Sequence, residues 1–148
     1  MDEAEVLAFL DEERVMTCAT FGPSGWPHLM PLWYVVRDGR LWAWTFAKSQ
    51  KTKNLERDPR ATLGLEDGVQ YHELRGVMLE TEVTIHRDTD FVCDLGLEIF
   101  GRYGGDPGGA VAPEVRDMVK AQAAKRVGLE FVERRRASWD HRKLGNVY

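Results

Sequence analysis

The segment Phe46 to Arg60 reads FAKSQKTKNLERDPR. It sets Lys48, Lys51 and Lys53 within six positions of one another, beside Ser49 and Asn54. A helix starting after Ser49 would present unpaired N–H groups and a partial positive charge at its first turn. The Ser49 hydroxyl, the Lys51 ammonium and the Asn54 amide one turn on would together suit a phosphate or phosphodiester. The same residues also describe a solvated helix start, and composition leaves both readings open.

The aromatic residues just upstream add a second feature. Trp33, Trp42, Trp44 and Phe46 fall in two adjacent strand patterns, and Trp42, Trp44 and Phe46 share a parity that lines one face. Such a face is a core layer, a subunit contact or a wall for a planar ring. A ring system against these strands, with its phosphate at the following helix start, would use both features at once.

Other chemistries find no pattern. The sequence has no GxGxxG after a strand, no Walker loop, no HExxH and no GxSxG. His28, His72, His86 and His141 are widely spread, and Cys18 and Cys93 form no CxxC. No metal site is expected. An enzyme built this way would rely on a cofactor for its reactivity.

The elements that must position these residues come next. The 148 residues fit one domain, residues 1–148, and 43% of them are hydrophobic. The net charge of −4 argues against nucleic acid as a partner. No apolar run approaches the roughly twenty residues of a membrane span, and the acidic start MDEAEVLAFL is not a secretory signal. A cytoplasmic protein with reduced thiols is expected.

Asp2 and Glu5 form a capping box for a helix to about Glu13. RVMTCATF reads as a strand, and HLMPLWYVVR and RLWAWTF read as two more around a type I′ turn at Asp38-Gly39. Pro31 confines its position to an edge or bulge. Ser49 caps a helix that ends near Asp58, ahead of Pro59. ATLGLE and LRGVMLETEVTIHRD are strands. Thr89 is expected to cap a helix to about Phe100, GRYGGDPGGA to be a loop, and Pro113 to open a helix ending near Lys125. RVGLEFVERRRASWD is the last strand. Antiparallel strands with a few helices predict a small α+β barrel.

Four blocks carry a resemblance: GWPHLMPLWY, LWAWTFAKSQKTKNLERDPRA, LRGV and ASWDHRKL. Taken together they are similar to the pyridoxamine 5′-phosphate oxidase-like split β-barrel superfamily, and more narrowly to its flavin/deazaflavin (F420) oxidoreductase branch. The resemblance spans about Met1 to Leu144. It implies a six-stranded antiparallel split β-barrel, a homodimer, and cofactor sites at the dimer interface. It assigns the cofactor phosphate to Ser49, Gln50, Lys51 and Asn54, with Arg60 supporting the phosphate loop or simply bonding the barrel. It lays the ring system along Pro31, Leu32 and Trp33, and brings Trp44 and Thr45 to the ribityl chain or ring edge. Trp139 and Lys143 would come from the partner's terminal segment and cover the ring.

The implied activity is hydride transfer from a reduced cofactor to a small planar acceptor of quinone, enone or tetrapyrrole type. Tyr34 and His72 are candidate proton donors beside water, and no catalytic residue is assigned. Coenzyme F420 has a phosphodiester and a polyglutamate tail, which Lys48, Lys51, Lys53 and Arg134 to Arg136 would suit. FMN, with one terminal phosphate, is the alternative cofactor. A non-enzymatic cofactor or haem carrier is the third reading. The C-terminal substrate-phosphate Arg/His pattern of true pyridoxamine-phosphate oxidases has no match here, which argues against that substrate.

Overall fold

The computed structural model describes residues 1–104 and 111–145. Helix α1 (Glu3–Glu12) starts at the expected capping box: the Asp2 carboxylate accepts the Glu5 N–H at 2.9 Å, and the Glu5 carboxylate accepts the Asp2 N–H at 2.7 Å. Strands β1 (Met16–Phe21), β2 (Pro27–Leu32), β3 (Val35–Arg37) and β4 (Arg40–Phe46) follow. Helix α2 (Gln50–Arg57), β5 (Arg60–Asp67), β6 (Arg75–His86), α3 (Thr89–Gly104), α4 (Pro113–Ala123) and β7 (Arg126–Asp140) complete the order. The β3–β4 turn has positive φ at both Asp38 (52°) and Gly39 (72°), as a type I′ hairpin requires.

The seven strands form one antiparallel sheet in the order β2-β1-β5-β6-β7-β4-β3. The run HLMPLWYVVR, expected as one strand, is two, and this raises six expected strands to seven. Its halves sit at opposite edges of the sheet, separated in sequence only by Trp33 and Tyr34. Two residues span at most ~10 Å between strand ends. The sheet must therefore curl until its edges meet, which makes a barrel split at Trp33-Tyr34. Pro31 sits on edge strand β2, where a missing N–H is tolerated.

The barrel interior is filled by one parity of each strand, including Cys18, Leu41, Ala43, Leu63, Leu65, Val77, Leu79, Leu129 and Phe131. In β6 the alternation survives a register shift at Glu80/Thr81, because the extra residue, Arg134, is on β7. Helix α1 closes one mouth with Val6, Phe9 and Leu10. It is tied to the far end of β7 by Glu3–Arg136 and the N-terminal amine on Ser138, and to the turn just after it by Glu5–Lys143. Helix α2 covers the opposite mouth, where β4 ends and β7 begins.

Helix α3 packs outside, over Trp42 and Trp44. Gly96 makes this possible, because a Cβ there would collide with the Trp44 indole. Its cap is Asp88 rather than Thr89, with the Asp88 carboxylate accepting the Phe91 N–H at 2.9 Å. The helix also runs four residues beyond Phe100, so Gly101 to Gly104 of the expected loop are helical. The rest of that loop, 105–110, lies outside the described residues. Pro113 opens α4 as expected.

The end of α3 clamps the barrel split. Tyr34 is fully buried, and its hydroxyl lies 2.6 Å from the Leu10 carbonyl and 2.7 Å from that of Glu13. Arg102 donates to the carbonyls of Tyr34, Asp11 and Glu13, each at 2.8 Å. It thereby satisfies the open C-terminal carbonyls of α1 while holding the seam.

Candidate functional site at the α2 mouth

Helix α2 begins with Ser49 as cap, where the sequence placed it. Ser49 Oγ accepts the Thr52 N–H at 3.2 Å and lies 3.1 Å from Thr52 Oγ1. Thr52 Oγ1 in turn donates to the Phe46 carbonyl at 2.9 Å, so the Ser49 hydroxyl proton goes to Thr52. The N–H groups of Gln50 and Lys51 fall in the first turn, where no intrahelical acceptor exists. The helix start thus keeps open backbone donors beside a committed cap.

Lys51 is the chemically unusual member. It retains 5% of its surface, next to the buried thiol of Cys18. Among the described residues its ammonium has no carboxylate partner and no hydrogen bond. Burial lowers its pKa from the ordinary 10.5 and pushes the Cys18 thiol up to about 12, so the thiol remains neutral and offers no counter-ion. A partly desolvated ammonium without an anion is unfavourable, and an anionic ligand would offset that cost.

Asn54, also fully buried, has a different position in the network. Its amide donates to Thr20 Oγ1 at 3.1 Å, and its oxygen accepts from Gln50 Nε2 at 2.8 Å and Arg57 at 3.3 Å. Arg57 also donates to the Phe21 carbonyl. Asn54 and Arg57 therefore brace α2 against the end of β1. Arg60 is occupied as well: it forks onto Asp58 at 3.0 and 2.8 Å and covers the Phe21 ring at 4.7 Å. That pairing holds the Asp58 carboxyl down at about 2.

The structure groups the expected residues in three places. Ser49, Gln50, Lys51 and Asn54 meet at the α2 mouth. Pro31, Leu32 and Trp33 run along edge strand β2 toward Met16, about four strand residues or ~13 Å from Thr20, where Asn54 docks. Trp139 and Lys143 lie at the other mouth. Trp139 packs on Gly76 of its own chain, and Lys143 pairs with Glu5 at 2.6 Å. β7 meets Phe46 at Arg126 and reaches Trp139 thirteen residues later, up to ~43 Å of strand. One chain cannot bring these two groups together.

Trp44 is half-buried under α3, and Thr45 faces the barrel interior. Of the candidate proton donors, Tyr34 is locked in the seam with its pKa raised by burial, and His72 is exposed in a short turn. The arginine stripe on β7 is paired throughout: Arg134 with Glu82, Arg135 with Glu80, and Arg136 with Glu133 and Glu3.

Two contributors were missed in the sequence. Arg126 lies over the rings of Trp44 (4.7 Å) and Phe46 (3.9 Å). Lys125, with Lys48, Ser49 and Phe46, lines an open groove beside the α2 start. Only the β4–β7 register brings residues 125 and 126 to Phe46, and no local pattern encodes it.

Comparison with known proteins fits this architecture. The family described as pyridoxamine 5′-phosphate oxidase matches residues 2–134, so the chain belongs to that family. The crystal structure of conserved hypothetical protein Rv2991 from Mycobacterium tuberculosis matches with a TM-score of 0.89 and 44% identity, covering 100% of this chain and 90% of that one. A protein described as an F420 reductase matches with a TM-score of 0.66 at 21% identity, covering 88% and 94% of the two chains. HutZ, the haem storage protein from Vibrio cholerae, matches with a TM-score of 0.69 at 15% identity, covering 93% of each chain. At such identities the last two speak for the fold alone. No curated protein matches the sequence. The fold is the α+β split barrel that the sequence motifs implied.

Proposed function

We propose that this protein is an F420H2-dependent reductase that acts as a homodimer on a small planar acceptor of quinone, enone or tetrapyrrole type. The observation that carries the reading is Lys51: a side chain buried along its length whose ammonium, at the barrel mouth, has no acidic partner among the described residues, at a helix start with open N–H donors. A phosphodiester beside it supplies the missing negative charge. When bound, the reduced deazaflavin supplies a hydride, and water supplies the proton that completes the acceptor's reduction. The protein's part is to bind, orient and exclude water, which is compatible with the lack of a catalytic triad.

The groove lined by Lys48 and Lys125 gives a polyanionic tail a path away from Lys51. The homodimer reading rests on the resemblance that assigns Trp139 and Lys143 to the cofactor site. Trp139 and Lys143 sit at the mouth opposite Ser49 and Lys51, so a role for them at that site requires a second copy.

FMN is the second reading, and the paired arginine stripe favours it. With Arg134, Arg135 and Arg136 engaged by glutamates, fewer cations are left for a long tail. Parallel titration with F420 and FMN decides between them. F420 should bind more tightly, and Lys51→Ala should weaken both. Unchanged affinity in Lys51→Ala removes the phosphate assignment. Tight F420 binding with no oxidation of F420H2 by quinone, enone or tetrapyrrole acceptors would identify a carrier instead.

A further inference from the structure

The barrel seam holds an aromatic shelf that the phosphate argument leaves unused. Trp33 lies where the chain leaves β2, and its indole is parallel to the Tyr103 ring, with centroids 4.5 Å apart and planes 3° apart. This is an offset stack of the favourable kind. Trp33 is nevertheless 55% exposed, so one face is backed and much of the indole stays open.

Tyr103 is not a loose backing. Its hydroxyl donates to the Tyr34 carbonyl at 2.8 Å and accepts the Tyr34 N–H at 3.0 Å. Both bonds go to the residue next to Trp33, so a single dipeptide sets the indole and the phenol in register. Arg102 and Arg14 approach the Tyr103 ring at 5.5 and 5.9 Å, and Arg102 is itself pinned by the carbonyls of the seam. A large exposed aromatic surface is thus held by bonds made for barrel closure. The indole is thereby presented as a rigid, half-open stacking face.

We propose that the Trp33–Tyr103 stack is the acceptor platform, with Trp33 contacting a flat electron-poor ring and Tyr103 acting as a positioning residue behind it. The electron-rich indole face attracts an electron-poor ring, and an acceptor of hydride must be one. Trp33 is also the last residue of the Pro31–Trp33 segment along which the cofactor ring is expected, which would set acceptor and cofactor side by side. That the ring is a hydride acceptor rests on the hydride-transfer reading, whereas the stacking face itself does not.

The test is equilibrium dialysis of the full chain against menadione with no F420 present, followed by KM for menadione with F420H2. Saturable binding is expected, weakened about tenfold in Trp33→Ala and about fivefold in Tyr103→Leu. Tyr103→Phe keeps the stack and loses the clamp, so it should fall between wild type and Tyr103→Leu. F420 affinity should stay within twofold in both Tyr103 variants, and KM for menadione should rise while kcat holds. Menadione binding within twofold of wild type in Trp33→Ala overturns the platform. So does dissociation of the dimer by Trp33→Ala with menadione affinity intact, which would make the shelf a subunit contact. Menadione binding that responds to both residues in a protein that never binds F420 upholds the shelf and removes the F420 reading. Should Tyr103→Leu not fold, Trp33→Ala decides alone, because the seam bonds use the Tyr34 backbone and not the indole.

Discussion

Two cationic regions look alike in the sequence and behave as opposites in the fold. The α2 start offers Lys48, Lys51 and Lys53, and β7 offers Arg134, Arg135 and Arg136. Each of these three arginines meets a glutamate, and the pairs of Arg134 and Arg135 are surface pairs of small energetic value. At α2, Lys51 is buried with no acidic partner among the described residues. Free positive charge is therefore set by what packs opposite a cation and not by how many cations stand in a row. Arg102 shows a third outcome, a cation satisfied by backbone carbonyls.

The comparison can be broken or sharpened by substitution. The largest effect is expected at Arg102, where Arg102→Ala leaves carbonyls of α1 and the seam open. It should cost about 3 kcal/mol in urea unfolding. A loss under about 0.5 kcal/mol would show that the seam closes without it.

Lys51→Met comes next and separates binding from folding. F420 affinity should fall about a hundredfold, ~2.7 kcal/mol. The free protein should be as stable as wild type or more so, since an uncompensated, partly desolvated charge is gone. A destabilised variant with normal affinity would reverse the assignment of this residue from ligand partner to structural support.

The pH dependence follows from the depressed Lys51 pKa. Above the folded pKa the unfolded chain binds a proton that the native chain does not, so native stability rises with pH up to about the ordinary value of 10.5. The rise should appear in wild type and vanish from Lys51→Met in chemical denaturation at stepped pH. F420 affinity should decline over the same window as the ammonium is lost. A wild-type minus variant difference that is flat in pH would mean that Lys51 is not desolvated.

The smallest effect belongs to β7. Arg134→Ala with Arg135→Ala should change stability by no more than about 0.5 kcal/mol and leave F420 affinity within about twofold. A tenfold loss of F420 affinity there would show that the stripe is a ligand groove after all and erase the contrast with α2.

Much of the local structure was legible. The Asp2–Glu5 box, the Asp38-Gly39 turn, the Ser49 cap and Pro113 at a helix start are all short-range signals, and each stands where expected. Misses occurred where local signals compete. Thr89 and Asp88 are both good caps, and Asp88 takes the role. HLMPLWYVVR is apolar throughout, so nothing in its pattern marks Trp33-Tyr34 as the break between two edges.

The sequence by itself determined most of the elements, because caps, turns and alternation act over a few residues. Its motif blocks also pointed to the family that the comparison shows. Only the tertiary structure decided which cations are free, because ion pairing depends on register: Arg135 stands opposite Glu80, and Arg126 stands opposite Phe46. Tertiary structure alone also put Lys51 beside Cys18 in the barrel mouth and Lys143 beside Glu5 at the other. These contacts join residues far apart in the chain, and a one-dimensional pattern has no term for them.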